Sequence, residues 1–298
     1  MTAEYDHLHH SVRAMANEDN ESRIRRIRSD RWISYARAEA ALEAFENLLS
    51  FPKRTRMPNL LLVGPTNNGK TMIVEKFRRS HPLTAASATS RGVANIPVLK
   101  VQMPPAPDEP RFFGALLEEL AFPHTLSDRG SKRQEQAMRL MRDTELRLLI
   151  IDEVHNLLSG SRLQQRRLLN LLRWLGNELQ IPLVAVGTVE ALHAIQSDDQ
   201  LANRFEPLGL PPWRSGKEYQ LLLKTLEAVL PLRRPSELAK PALANKIVSA
   251  GEGILGEVVS IVTRAAIRAV ITGEECISVN TIDETGFISP SERRRVAI

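Results

Sequence analysis

The chain has 298 residues, of which 43% are hydrophobic and 25% are charged, and its formal net charge is +5. This hydrophobic fraction is sufficient for a globular core, which excludes a wholly disordered protein. No apolar run approaches the roughly 20 residues of a membrane-spanning helix, and the polar N-terminus does not have the form of a secretory signal. Cys276 is the single cysteine, so an internal disulfide is excluded. We therefore expect a soluble, cytoplasmic protein with no membrane partner.

Basic residues are gathered in four clusters along the chain, at positions 23–31, 53–56, 129–133 and 293–295. Such clusters suit a polyanion such as DNA. Solvated surface faces produce the same pattern about as often. Each single cluster therefore leaves both interpretations open.

Hydrophobic periodicity predicts the order of helices and strands. The N-terminal region to about Arg56 is expected to be helical, with Pro52 ending its last helix. Short apolar runs then predict buried strands, and helical spacing follows each of them. The predicted strands lie at 59–63, 96–102, 147–152 and 181–188, and the predicted helices between and after them at 71–80, 111–122 and 164–179.

Strands that alternate with helices predict an α/β fold with a parallel sheet flanked by helices. After the PPW sequence at 211–213 the strands stop, and the helical stretches that follow indicate a smaller all-helical domain. We therefore predict an N-terminal helical extension over 1–56, an α/β core over 57–213 and a helical domain with a basic tail over 214–298.

The segment between the first predicted strand and helix satisfies the pattern G-x-x-x-x-G-K-[ST]. In such a loop, glycines allow backbone N–H groups to face phosphates at a helix N-terminus. The lysine reaches the β and γ phosphates, and the last hydroxyl binds Mg²⁺. The position between a strand and a helix supports a P-loop for ATP rather than a chance turn. Its residues are Gly64, Pro65, Thr66, Asn67, Asn68, Gly69, Lys70 and Thr71.

Two acidic residues follow the third predicted strand. Asp152 comes at the end of the apolar run LLII, where a carboxylate holds Mg²⁺ in P-loop proteins. Glu153 is placed to polarise an attacking water as a general base, which favours hydrolysis. Both residues would also be suitable caps for a helix starting near His155. His155 itself is expected to pack or cap rather than to bind a metal.

Two further candidates follow the fourth predicted strand. Thr188 lies where a polar side chain could sense the γ-phosphate or orient water, although a strand-end turn would use the same residue. Arg204 could reach the nucleotide of a neighbouring subunit as an arginine finger. The alternative is a surface arginine paired with Asp198 or Asp199.

This order of motifs resembles that of the AAA+ ATPases, and longer stretches resemble the TniB family of transposition ATPases, which is related to TnsC. The resemblance covers about residues 23–268. It rests on the segments RWISYARAEAALEAFENLL, RMPNLLLVGPTNNGKT, VQMPPAPDEPRFF, IIDEVHNLLSGS, AVGTVEAL, DDQLANRFEPLGLPPW and LPLRRPSEL.

The resemblance implies a set of partners. Members of this family bind double-stranded DNA non-specifically in the ATP state and assemble on it as homo-oligomeric rings or filaments. They recruit and activate a DDE transposase of the TniA kind, and a TniQ-like target selector engages the assembly. The resemblance thus implies an ATP- and Mg²⁺-dependent ATPase switch in the bacterial cytoplasm, associated with the nucleoid.

The resemblance also implies roles for particular residues. It implies that Trp32 and Ile33 enclose the adenine, that Thr188 is the sensor and that Arg204 acts in trans. One position departs from the common AAA+ pattern: Glu257 stands where the helical domain often has a sensor arginine. Whether Arg264, two turns further on, replaces that arginine stays open.

Contacts with DNA phosphates are the least defined part of the site. A non-specific DNA-binding protein needs Lys and Arg on phosphates and little base readout. Lys132 and Arg133 in the predicted loop SDRGSKRQEQ, and Arg162 after SGS, are the candidates. For each of them a solvated surface charge is the alternative.

Two other functions are compatible with the ATPase motifs. One is a helicase-loader or clamp-loader-like ATPase in replication or repair, and the other is a signalling NTPase scaffold that does not touch DNA. The stretches WISYA, GLPPW and LPLRRPS favour the transposition family because they carry no ATPase chemistry.

Overall fold

The architecture was derived from a computed structural model that describes residues 5–84, 93–123, 125, 129–196 and 199–295. A five-stranded, wholly parallel sheet has the order β2-β3-β4-β1-β5. β4 therefore lies between β1, which precedes the P-loop segment, and β3, which ends in Asp152. The strands are β1 (Asn59–Val63), β2 (Val98–Gln102), β3 (Leu148–Asp152), β4 (Leu183–Gly187) and β5 (Phe205–Gly209).

Helices occupy most of the remaining described chain. Two 3₁₀ helices lie at Ala14–Asn17 and Val154–Ser159. No helix in the described ranges is both long and apolar enough to cross a membrane. The α-helices are α1 (His10–Arg13), α2 (Asn20–Arg28), α3 (Ala36–Leu49), α4 (Lys70–Ser80), α5 (Glu109–Glu119), α6 (Gly130–Asp143), α7 (Arg162–Leu179), α8 (Val189–Gln196), α9 (Asp199–Ala202), α10 (Lys217–Ala228), α11 (Pro241–Ala250), α12 (Leu255–Thr272), α13 (Val279–Asp283) and α14 (Pro290–Arg295).

The chain forms two compact units. The α/β unit comprises Ala40–Thr66 and Lys70–Leu210, and its core is formed by the sheet and the helices beside it. The helical unit comprises the chain up to Glu39, Asn67–Gly69 and the chain from Pro211, with a core of its own. The units are thus not consecutive in sequence, and the division at residues 56 and 213 stays a prediction.

The α/β fold with a helical C-terminal part is confirmed, but two local predictions were wrong. β5 was missed because Pro207 interrupts its pattern and only Phe205 in it is buried; proline is tolerated there because β5 is an edge strand. The segment that contains Lys132 and Arg133 is not a loop but the first turn of α6. Its apolar residues at helical spacing, among them Ala137, Met138 and Met141, are buried in the core.

A buried ion pair joins distant parts of the helical unit. The side chain of Arg23 on α2 is completely buried, and its Nη1 donates to Glu275 Oε1 at 2.9 Å, while its Nε donates to the Pro231 carbonyl at 3.0 Å. Burial alone would raise the pKa of Glu275, but hydrogen bonds from Arg23 and Arg233 outweigh it and leave the pKa below its ordinary value. Arg23 therefore has a structural role and is not available to contact a polyanion.

We expect Arg23→Met to lower the free energy of unfolding by about 3–5 kcal/mol, because the carboxylate of Glu275 would stay buried without its main partner. Urea unfolding measures the effect. Arg25→Met on the same helix is the control, since the exposed Arg25–Glu21 pair contributes at most about 0.5 kcal/mol. Because the folded pKa of Glu275 is depressed, the stabilisation is complete above the unfolded pKa and is lost as pH falls through the folded pKa. Equal effects of the two variants would contradict the assignment.

Candidate active site

The P-loop segment connects β1 to α4 through residues with special backbone requirements. Gly64 lies so close to Leu210 that a Cβ there would be 2.7 Å from the Leu210 carbonyl oxygen. Asn67 and Gly69 have φ values of 60° and 85°, in the left-handed region that glycine and asparagine tolerate best. The sequence NNG thus permits the tight wrap that a phosphate-binding loop requires.

Lys70 begins α4 and is buried although it carries a charge. Its Nζ donates to the carbonyls of Gly64, at 2.9 Å, and Pro65, at 2.6 Å, in the same loop. Burial lowers the pKa of Lys70, and the negative charges of Glu153 and Asp152 act in the opposite direction. The lysine is thereby held at the loop where a polyphosphate would lie.

Thr71 and Asp152 meet although 81 positions separate them in sequence. The Thr71 hydroxyl donates to Asp152 Oδ2 at 3.1 Å. The two oxygens are hard ligands of the kind that Mg²⁺ takes when phosphates and water complete its shell. Within the described ranges no group of three or more His, Cys, Asp or Glu side chains could hold a metal ion. The hydroxyl of Thr71 and the carboxylate of Asp152 therefore fit a Mg²⁺ ion that also takes phosphate and water ligands.

Sequence reasoning missed Lys100, which lies beside this pair. Its Nζ is 3.5 Å from Asp152 Oδ2 and 2.9 Å from Glu75 Oε1 on α4. The signal was a lysine in the middle of the apolar strand β2, where a charge needs a partner. Lys100 positions the Asp152 carboxylate and links β2 to α4.

Glu153 has an unusual backbone conformation and a histidine neighbour. Its φ is 54°, in the left-handed region, and its N–H is bonded to Asp152 Oδ1 at 2.9 Å. Such strain in a non-glycine residue is typical of functional positions. His155 Nε2 lies 3.0 Å from Glu153 Oε2, and His155 Nδ1 is buried with no hydrogen-bond partner in the described part of the chain. Glu153 is thus held by an imidazole rather than acting as a helix cap: its side chain makes no capping hydrogen bond to the 3₁₀ helix that follows.

Thr188 follows the C-terminal end of β4, between the ends of β1 and β3. Its hydroxyl hydrogen-bonds the Glu190 carboxylate and is the main reason that the pKa of Glu190 is lowered. Because the carboxyl ends of parallel strands lie at one edge of a sheet, Thr188 shares an edge with the P-loop and Asp152. This placement is compatible with a sensor role, which stays a prediction.

Within the helical unit, the start of α12 contacts the centre of the P-loop. The Gly256 N–H donates to the Asn67 carbonyl at 2.9 Å, and a Cβ on Gly256 would lie 2.1 Å from Asn67 Oδ1. Glu257 accepts a hydrogen bond from Asn67 Nδ2 at 3.2 Å and pairs with Arg293 at 2.5 Å. Arg264 instead lies over the Phe287 ring, at 5.7 Å from its centroid. The use of Arg264 as a replacement for the sensor arginine stays an open question.

Arg204 lies at the amino-terminal ends of the parallel strands, whereas the P-loop, Asp152 and Thr188 lie at their carboxyl-terminal ends. It immediately precedes β5, and its carbonyl accepts a hydrogen bond from the N–H of Asn59, the first residue of β1. Its Nη1 donates to Asn177 Oδ1 at 2.7 Å. Asp198 and the side chain of Asp199, the partners considered from sequence, lie outside the described part of the chain.

The remaining sequence candidates fall into two groups. Trp32 and Ile33 are half-buried in a segment without regular secondary structure before α3, and Ile33 packs against the helical core. Lys132 and Arg162 are exposed, as a DNA contact requires, whereas Arg133 is buried with Nη1 donating to the Pro110 carbonyl at 3.1 Å. Burial of its guanidinium against α5 argues against Arg133 as a DNA contact.

A parallel sheet with a P-loop after β1, an acidic pair after β3 and a helical C-terminal part defines an AAA+ ATPase fold. Solved structures agree with this class. The ORC2 protein of Aeropyrum pernix in ADPNP–ADP complexes is 17% identical with a TM-score of 0.62, covering 92% of this chain and 74% of that chain. The ORC1 protein of the same organism in complex with DNA is 16% identical with a TM-score of 0.60, covering 88% and 68%. Drosophila ORC bound to DNA is 13% identical with a TM-score of 0.56, covering 90% and 65%.

The family match gives a more specific assignment than the fold does. The profile of the bacterial TniB protein matches residues 23–215, and the chain belongs to the TniB family. No curated protein sequence matches the chain significantly. The match contains the P-loop, Asp152, Glu153, Thr188 and Arg204, whereas the start of α12 that contacts Asn67 lies beyond it.

Proposed function

We propose that this protein is an ATP-hydrolysing switch of DNA transposition. ATP-bound copies assemble on double-stranded DNA and recruit and activate a DDE transposase of the TniA kind, with a TniQ-like protein selecting the target. Hydrolysis then resets the assembly. The proposal is supported by the match to the TniB family, together with the placement of the P-loop segment and Asp152 at the carboxyl ends of the strands and of Arg204 at their amino ends.

The residues at the P-loop edge account for binding and hydrolysis within one copy. The loop N–H groups and Lys70 would hold the phosphates, and Thr71 and Asp152 would hold Mg²⁺, which would supply positive charge to the β and γ phosphates. Glu153 takes the proton of the attacking water. Its pairing with His155 gives the carboxylate a fixed orientation until the water is present. Thr188 orients that water or senses the γ-phosphate.

For a role in hydrolysis, Arg204 requires the nucleotide of a second copy of the chain. β1 and β5 are parallel and in register from Asn59↔Phe205 to Val63↔Gly209. Arg204 precedes Phe205 and Gly64 follows Val63, so about six steps of roughly 3.3 Å, or about 20 Å, separate Arg204 from the start of its own P-loop. The phosphate that Arg204 serves therefore belongs to a neighbouring molecule, and oligomerisation becomes a condition for hydrolysis.

DNA binding is the part of the proposal that rests on the family and on surface charge. The chain has 40 basic and 35 acidic residues, and Lys132 and Arg162 are exposed. The similar ORC1 structure and the Drosophila ORC structure were each solved with DNA. We propose the same class of ligand here, bound through its phosphates without base readout.

We expect duplex binding to require a non-hydrolysable ATP analogue and to weaken as salt rises, with a slope of about −0.9 for each phosphate contacted. Fluorescence anisotropy with duplexes of unrelated sequence measures both properties. Lys132→Ala and Arg162→Ala should each reduce the salt slope by about one if they contact phosphates. The Arg133→Ala variant is the matched control and should leave the slope unchanged.

Electron microscopy of the same samples separates the alternatives. Rings or filaments that coat duplex DNA support the transposition switch. Binding restricted to primer junctions or to a helicase would indicate a loader. Absence of nucleotide-dependent duplex binding at low salt would indicate a scaffold that does not touch DNA. Recovery of a TniA-like transposase on ATP-loaded DNA complexes, but not on nucleotide-free protein, tests the recruitment step.

A further inference from the structure

A groove of about 550 Å³ lies on the α/β unit where β1 and β5 begin. Arg54, Arg56 and Arg204 line it, together with Asn203 and Glu206. The first two arginines precede β1, and Arg204 precedes β5, so strand pairing brings together residues almost 150 positions apart in sequence. Only Arg204 has a role in the function proposed above, and Arg56 belongs to a basic cluster that this function does not use.

Arg56 and Arg204 each donate a hydrogen bond to a neutral group. Arg56 Nη2 donates to the Asn203 carbonyl at 3.4 Å, and Arg204 Nη1 donates to Asn177 Oδ1 at 2.7 Å. Among the described residues, neither guanidinium forms an ion pair with a carboxylate. Burial and then the positive charges of Arg56 and Arg173 lower the pKa of Arg204, which shows how closely the like charges are placed.

Closely spaced guanidinium groups form a binding site for an anion with several oxygens, because each guanidinium has N–H groups besides the one that bonds to its neutral partner. Arginine binds phosphate through two parallel N–H···O bonds, which lysine cannot reproduce. A compact groove with a few arginines suits one polyphosphate group, whereas a DNA duplex requires an extended row of contacts. The length of the strands separates the groove from the P-loop of the same chain. A nucleotide phosphate bound in the groove would therefore belong to a nucleotide held by another copy.

We propose that Arg56 acts in trans together with Arg204, and that both contact the terminal phosphates of the nucleotide held by the P-loop of a second copy. This inference rests on the proposed function and adds a residue and a binding groove to it. Arg204 stabilises charge on the transferred phosphoryl group, and Arg56 binds the remaining phosphate oxygens and keeps the nucleotide at the interface between copies.

We expect Arg56→Ala to reduce steady-state ATP hydrolysis at least about tenfold, since trans arginines contribute more than this in related chemistry. Nucleotide affinity at concentrations where the protein is monomeric should be unchanged, because Arg56 does not reach its own P-loop. Mixing with Glu153→Gln subunits should restore part of the hydrolysis, since these supply an intact groove and the Arg56→Ala subunits supply the base. Lys53→Ala removes a nearby charge outside the groove and should leave hydrolysis unchanged.

Three results would overturn the inference while leaving the proposed function intact. Arg56→Ala could hydrolyse ATP like Lys53→Ala. It could also lose hydrolysis without recovery on mixing, although Arg204→Ala recovers under the same conditions, which would make Arg56 a structural residue. Finally, it could change only the salt slope of duplex binding, which would make the groove a DNA contact. If Arg204→Ala itself does not recover on mixing, the trans step of the proposed function fails as well.

Discussion

Lys70→Ala is expected to abolish nucleotide binding at concentrations where the wild-type protein is saturated. The variant removes the charged donor that the P-loop holds among the Gly64 and Pro65 carbonyls. Charge-assisted hydrogen bonds to two phosphates correspond to an affinity loss of at least about 100-fold. A fluorescent ATP analogue measures the change directly, and duplex binding should be lost with it.

The control for this variant is Lys76→Ala, which removes the same charge from the exposed face of the same helix. Lys76→Ala should bind nucleotide like the wild type. Circular dichroism of both variants excludes unfolding of α4 as the cause. Undiminished nucleotide affinity in Lys70→Ala would mean that the segment 64–71 is not a P-loop in function.

Glu153→Gln should retain nucleotide binding and lose hydrolysis by about 10²–10⁴-fold, the contribution that a general base makes. The amide cannot take the proton of the attacking water, but the size of the side chain is kept. Single-turnover hydrolysis and ATP affinity, measured on one preparation, separate the two effects. If hydrolysis is the resetting step, the variant should also remain on duplex DNA after ATP is added.

Glu145→Gln offers a matched control for this variant. Glu145 is also a glutamate with a φ of 54° and lies in the same unit, before β3. Substituting it tests whether loss of a charge at a strained backbone position is enough to reduce activity. A Glu153→Gln protein that turned over ATP at the wild-type rate would remove Glu153 from the mechanism and direct attention to the adjacent His155.

Local patterns in the sequence predicted most of the α/β core. The runs NLLLV, VLKVQ, LLIID and LVAVG are each strands within the predicted ranges, because short, mainly apolar runs between turn signals are typical of buried parallel strands. VLKVQ fits this pattern least, since Lys100 is half-buried and Gln102 is exposed. β5 and α6 were missed for opposite reasons. FEPLG contains a proline and little buried surface, whereas the polar start of α6 conceals the apolar residues that follow one turn later.

The sequence by itself predicted the P-loop segment, Asp152 and Glu153 as candidate site residues, because the residues of each motif are adjacent in the chain and their spacing is set by the connection that follows a strand. Only the tertiary structure decided which distant residues meet them. Strand order and register place Lys100 beside Asp152, Arg56 beside Arg204, and Arg204 at the edge opposite its own P-loop. Local folding likewise turned Arg133 into the interior and brought the His155 ring onto Glu153. Apart from the contact between Glu153 and His155, which are two positions apart, these contacts depend on packing between elements distant in sequence, and no local pattern of residues encodes that packing.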